Sequence, residues 1–185
     1  MLGGLGAIPN EKASDFYQGI HRYLRESGLD GVKVDAQGAM GTFGEGNGGG
    51  PDLVRHFTSA MEGSVSDNFG ASHCINCMCH STENLYRYFD SAIARASDDF
   101  YPREPESWLW HLTACAYNSL LIGQVALPDW DMFQSHCGEA GALHAAARAV
   151  GGCPVYVSDA PGKHDFALLR KLVFPSGKVL RASLP

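Results

Sequence analysis

Short β-branched runs alternate along this chain with stretches of helical periodicity, and that alternation limits the fold more than any single motif does. The clearest run is Gly31-Val32-Lys33-Val34-Asp35. Val32 and Val34 favour a strand, and Lys33 and Asp35 fall together on its other face. Ala36-Gln37-Gly38 then turns the chain away. Further strands are predicted over residues 72–78, 91–95, 120–125 and 153–157, and residues 179–182 have the makings of another. Helices are predicted between them. Residues 11–27 carry Phe16, Ile20, Tyr23 and Leu24 at helical spacing, with Gly28 as a stop. Residues 51–69 carry the stripe Leu53, Val54, Phe57, Ala60 and Met61, with Pro51 in the first turn. Residues 83–88, 106–117, 138–150 and 165–173 complete the set. Between the first two helices, six glycines in the ten residues 41–50 read as a flexible loop. They are no phosphate cradle, because neither G-K-[ST] nor G-x-G-x-x-G is present. A β-α-β-α order at these spacings points to an α/β fold with a parallel sheet and right-handed crossovers.

In such a fold the strand exits are where chemistry gathers. Four of the five predicted exits carry carboxylates: Asp35, Asp98 with Asp99, Asp129 with Asp131, and Asp159. Surface charge placed for solubility sits on helices more often than on one rim. Two carboxylates across a pocket suit glycoside chemistry, one attacking the anomeric carbon and the other serving as acid and then base. Lys33 beside Asp35 would favour an ionised carboxylate, the form a nucleophile needs. Taken alone, that stretch is as simply explained by a strand ending in a solvated acid. Trp130 offers a face on which a sugar ring could stack; capping the end of the sheet is the competing account.

Composition excludes other classes. A net charge of -6 without a basic cluster argues against nucleic acid as a partner. No apolar run nears the ~20 residues that span a bilayer, so no membrane role is expected. Six cysteines in 185 residues are too few for a disulfide scaffold, and the first residues are not a signal peptide. Reduced thiols and a cytoplasmic setting are the expectation, or a plastid if a transit peptide lies upstream. Cys74-Ile75-Asn76-Cys77-Met78-Cys79-His80 contains C-x-x-C, but no second paired cluster accompanies it. Buried thiols account for it better than a metal does, and no cofactor is expected. G-x-S-x-G is absent, which argues against a Ser-His-Asp hydrolase.

Several motifs in order carry a wider resemblance. They are G-V-K-V-D (31–35), R-A-S-D-D-F (95–100), C-A-Y-N-S-L (115–120), P-D-W-D-M-F (128–133), H-A-A-A-R-A-V-G-G-C-P-V-Y-V-S-D (144–159), G-K-H-D-F (162–166) and L-L-R-K-L-V (168–173). Together they resemble the raffinose synthase group of plants and algae, with the seed imbibition proteins and alkaline α-galactosidases, in glycoside hydrolase family 36. The resemblance implies a (β/α)8 barrel that acts on α-linked galactose with retention, through a covalent galactosyl-enzyme. It implies that Asp35 is the nucleophile and that Asp99, or Asp98 one residue earlier, is the acid/base. Lys33 and Arg95 are implied as ligands of galactose hydroxyls, and Trp130 and Asp131 as pocket residues. Family members are several times longer, so the expectation is a single partial barrel over residues 1–185, holding strands four to eight. Three functions stay open: galactosyl transfer from galactinol to sucrose, hydrolysis of raffinose-type α-galactosides, and an inactive or carbohydrate-binding remnant.

Overall fold

A computed structural model describes residues 8–91 and 93–183. It is an α/β structure with a parallel sheet of four short strands, β1 (Val32–Val34), β2 (Cys74–Asn76), β3 (Ile93–Arg95) and β4 (Leu127–Asp129), in the order of the chain. Six α-helices accompany them: α1 (Ala13–Glu26), α2 (Gly50–Phe69), α3 (Thr82–Leu85), α4 (Trp108–Ile122), α5 (Gly138–Val150) and α6 (Phe166–Leu169). The described residues fall into two compact units that divide between Ala94 and Arg95, inside β3.

In the first unit β1 pairs in parallel with β2, Lys33 opposite Ile75, and β2 with β3, Ile75 opposite Ile93. Gly31 lets β1 begin tight against the chain before β2. A Cβ there would lie 2.7 Å from the carbonyl oxygen of His73, which accepts the Val32 N–H. The helix predicted over 51–69 is α2 almost to the residue, with Pro51 in its first turn. It buries Leu53, Val54, Phe57, Met61 and Val65, each contributing about 1.5–3 kcal/mol. Its inner stripe also carries Glu62, which accepts the backbone N–H groups of Phe89 (3.1 Å) and Ser91 (3.0 Å) and the Ser91 hydroxyl. One buried carboxylate thus holds the segment leading into β3.

Helix α1 departs from the stripe read in the sequence. Phe16, Ile20 and Tyr23 are exposed, and the inner face is Ala13, Tyr17 and His21. His21 sits there because its Nδ1 bonds the Ser64 hydroxyl at 2.9 Å, a partner no periodicity reveals. The glycine-rich stretch is not all loop: residues 37–43 form a 3-10 helix, and Gly50 already belongs to α2.

In the second unit the strand predicted over 120–125 is a misreading. Leu120 and Leu121 continue α4, which ends at Ile122 with Gly123 donating to the carbonyl of Ser119. An unbroken apolar run can be the end of a helix as easily as a strand. The strand lies instead at Leu127–Asp129, where Pro128 had signalled an exit. Proline is tolerated there because β4 is the last strand in the order. Its Asp129 carbonyl accepts the Ala96 N–H at 2.8 Å. The run 153–157 reduces to a parallel bridge between Phe133 and Val157, and Val179 bridges Val173 antiparallel. The helix predicted over 165–173 is split into α6 and a 3-10 turn at Arg170–Leu172. Phe133, Ala145 and Leu172 form the apolar core here, with Val155, Val157 and Leu168 against it.

Five cysteines are buried, and Cys137 is partly exposed. Burial pushes the thiols of Cys74 and Cys153 up to about 12 and that of Cys115 to about 11.

Replacing Glu62 with alanine leaves two backbone donors without their acceptor and should cost about 2 kcal/mol or more in urea unfolding. Arg55→Ala, which breaks an exposed pair with Asp52 on the same helix, should leave the urea midpoint essentially where the parent has it.

Candidate active site

The charged residues flagged in the sequence divide between the two units. In the first, β1 ends at Val34 and delivers Asp35 to an exposed position. Its Oδ1 accepts the N–H of Ala36 at 2.7 Å, and Ala36 adopts a left-handed conformation with φ of 59°. Lys33 is exposed on the same face, and no ion pair joins it to Asp35 among the described residues.

The second unit gathers more. Arg95, the last residue of β3, is 1% exposed, yet its guanidinium is the hub of an acidic cluster. Nη2 lies 3.1 Å from Oδ1 of Asp99 and 3.1 Å from Oδ2 of Asp131, and Nε lies 4.0 Å from Asp129. Nη2 also donates to the carbonyl of Asp98 at 3.0 Å. The adjacent acids therefore have different parts. Asp98 contributes its backbone, whereas Asp99 contributes a carboxylate held at Oδ1 and 62% exposed. The other oxygen of Asp99 has no partner among the described residues.

Asp129 and Asp131 are buried behind this pair. The Tyr156 hydroxyl lies 2.9 and 3.0 Å from the two oxygens of Asp129 and 3.3 Å from Asp131. Asp131 also accepts the Phe100 N–H at 2.8 Å, which ties the Asp99 loop to the loop after β4. Burial pushes the Asp129 carboxyl above its ordinary value, against the pull of Tyr156 and Arg95. The same burial beside the two acids raises the Tyr156 phenol.

Trp130 is 7% exposed. Its ring lies against Gly151, where a Cβ would come within 2.7 Å of it, and its indole N–H donates to Ser119 at 2.9 Å. The ring is thus enclosed by the unit, and its backbone does the work at the strand exit. The Trp130 carbonyl accepts from Arg148 Nη2 (2.7 Å) and from His111 Nε2 (2.9 Å). Arg148 goes further, with Nε donating to the Asp131 carbonyl at 3.0 Å and Nη2 to that of Met132 at 2.8 Å. Fully buried on α5, it lies over the Phe133 ring and holds three consecutive carbonyls. That grip accounts for the left-handed φ of 59° at Asp131, which aims the side chain back at Arg95. His144, one turn earlier, accepts from Arg148 through Nδ1 at 3.0 Å. Burial and the neighbouring Arg148 lower it to about 3, so it stays neutral.

The structure thus brings Arg95, Asp99 and Asp131 together with Asp129, one of the predicted exit carboxylates, and it adds Tyr156 and Arg148, which were absent from the candidate set. One signal was available for Arg148. It falls on the same helical stripe as Gly141, His144 and Ala145, the buried face of α5. An arginine on a core stripe needs acceptors. For Tyr156 no local signal exists. Among the described residues no group of three His, Cys, Asp or Glu side chains could hold a metal.

The chain is thus an α/β structure with a parallel sheet whose strand ends carry carboxylates gathered around a buried guanidinium. Comparison with known proteins narrows this. The model of the family described as raffinose synthase or seed imbibition protein Sip1 matches residues 1–185, and the chain belongs to that family. It is 51% identical over 184 residues to a probable galactinol–sucrose galactosyltransferase of Arabidopsis thaliana, which covers 100% of this chain and 24% of the relative. A galactinol–sucrose galactosyltransferase of Oryza sativa subsp. japonica is 41% identical, covering 96% of this chain and 24% of the relative. A stachyose synthase of Pisum sativum is 38% identical, covering 95% and 22%. The chain spans about a quarter of the length of these curated relatives.

Two outcomes test the cluster. Arg148→Lys presents a point charge where a planar fork served three carbonyls, and it should destabilise the second unit by more than about 3 kcal/mol. At Asp129 the folded state keeps a proton that the unfolded chain has already released. Between about 3.8 and its higher folded value, stability therefore falls as pH rises. Asp129→Asn should remove that part of the pH dependence in thermal melts from pH 3 to 8, while Tyr156→Phe should cost about 1–3 kcal/mol at neutral pH.

Proposed function

We propose that this chain is the part of a galactosyltransferase that carries both catalytic carboxylates, and that the enzyme moves galactose from galactinol to sucrose. The reading draws its substrates from the names of the relatives. Its chemistry rests on one observation, that Arg95 holds one oxygen of a largely exposed Asp99 side chain while the other oxygen has no partner among the described residues. A carboxyl group fixed at one oxygen and open at the other gives up a proton, or as the carboxylate takes one, along a defined direction. Asp98, whose backbone alone is engaged, lacks that fixation, which favours Asp99 as the acid/base.

In the first step Asp35 attacks the anomeric carbon of the galactosyl group. The bond to the leaving oxygen breaks as that oxygen takes the proton of Asp99. In the second step Asp99, now ionised, takes the proton of a sucrose hydroxyl. The hydroxyl oxygen attacks the same carbon and expels the Asp35 carboxylate. Two inversions give retention. Lys33, on the face of Asp35, is suited to a galactose hydroxyl. Arg95 and Asp131 are committed to each other, so their part is to position Asp99. Trp130 supports the loop that carries Asp131. The four parallel strands would form part of a (β/α)8 barrel, with these residues at the strand ends where such barrels work.

Incubation with 5-fluoro-α-galactosyl fluoride should add one fluorogalactosyl unit to the peptide containing Asp35, seen by mass spectrometry. Asp99→Ala should slow galactosyl transfer by about 10²–10⁴-fold. Labelling on another residue would reassign the nucleophile. Galactose released from galactinol whether or not sucrose is present, with no trisaccharide, would make the protein a hydrolase.

A further inference from the structure

One titratable pair takes no part in the chemistry above. Beyond the bridge between Phe133 and Val157 the two segments run on to Ser135-His136 and to Asp159. The Asp159 side chain is fully buried. Its Oδ1 accepts the Ser135 N–H at 2.8 Å, its Oδ2 accepts the Ser135 hydroxyl at 2.5 Å, and the Nδ1 of His136 lies 2.9 Å from Oδ1. Ser135 also accepts the Asp165 N–H at 2.8 Å. The seam between the loop and the segment before α6 is thus closed by Ser135 and Asp159 together with the backbone bonds of Phe133 to Tyr156 and Ser158. His136 adds nothing that the seam requires, and its side chain is 41% exposed.

The pair has a defined polarity. Burial raises the Asp159 carboxyl, but the Ser135 hydroxyl, the His136 ring and the Ser135 amide outweigh it and hold the group below its ordinary value. It is a carboxylate and can only accept. Nδ1 of His136 must therefore carry the proton that faces it, and in the neutral ring Nε2 keeps its lone pair. Nε2 has no partner among the described residues. His136 lies five residues after Asp131, on the same connection between β4 and α5. In barrels of this type such connections line the substrate side.

We propose that His136, with its ring fixed by the positioning residue Asp159, binds a hydroxyl of the sugar substrate through Nε2. A neutral hydrogen-bond acceptor matches the hydroxyl of an uncharged polyol, where a carboxylate or cation would cost more to desolvate. The inference rests on the galactosyl-transfer reading, since that reading makes the ligand a sugar. The hydroxyl belongs to the acceptor or to the donor, and the two sources separate on titration.

The test is a long-range proton–nitrogen correlation spectrum of the protein labelled with [15N]histidine, at mildly alkaline pH, with His136 assigned by loss of its signals in His136→Gln. The free protein should show the Nδ1–H tautomer, and Asp159→Asn should loosen that preference while the protein stays folded. Titration with sucrose or with galactinol should shift the Nε2 resonance of His136. The sugar that shifts it should bind His136→Ala about 3- to 10-fold more weakly, the loss of one neutral hydrogen bond. An Nε2–H tautomer in the free protein would overturn the proposal. So would a sugar that, in uniformly 15N-labelled protein, shifts backbone amides near Arg95 and binds His136→Ala as tightly as the parent. If that happens while Asp35 is still labelled by the fluorosugar, only the His136 assignment is lost. Neither sugar binding nor labelling would remove both readings.

Discussion

A single guanidinium, sealed within the second unit, fixes the strand exit on which the acidic cluster is built. Arg148 donates to the carbonyls of Trp130, Asp131 and Met132, the first of which it shares with His111. An unmade hydrogen bond of that kind costs more than a made one returns. The loop therefore has little freedom to relax, and Asp131 is held in a conformation that an ordinary residue avoids. Arg95 then finds its partners already placed. The order of dependence runs from α5 to the loop, from the loop to Asp131, and from there to Arg95 and Asp99.

The first unit solves a similar problem with the opposite charge. Glu62, on the inner stripe of α2, accepts the N–H groups of Phe89 and Ser91, whereas Arg148, on the inner stripe of α5, serves carbonyls. In both units a helix sends one charged side chain inward to satisfy an irregular segment beside a strand. A buried charge is tolerated when its hydrogen bonds are all supplied, and backbone groups supply them without bringing in a second ion.

Much of this was legible in the residues. Helices α2 and α5 follow from periodicity, proline and alanine content, strand β1 from its two valines, and β2 and β3 from short segments around Ile75 and Ile93. What failed was the reading of Leu120–Val125, because an apolar helix end and a buried strand look alike over six residues. The strand beside it was hidden by Pro128, a residue that local rules place outside strands. The acids were visible as a set, but their division of labour was not. Asp98 and Asp99 differ only in which atom Arg95 reaches, and Asp129 differs from Asp131 in how deeply Tyr156 covers it. Arg95 is only three and four positions from Asp98 and Asp99, but which atom it reaches depends on how the loop folds, and Tyr156 lies 27 positions from Asp129, beyond the range of any local pattern. Glu62 and Arg148 could have been singled out as charges on apolar stripes. Their partners could not.

The distribution of thiols has a chemical consequence. Cys74, Cys115 and Cys153 are held protonated by burial, and Cys77 and Cys79 are buried as well. Burial and the neighbouring Asp159 raise the Cys137 thiol as well, but it alone of the six is partly exposed, so an alkylating reagent meets it first. Cys137 directly follows His136 and stands immediately before α5. Within these residues Cys137 is therefore a handle for a fluorophore or spin label, set on the connection that carries Asp131 and His136.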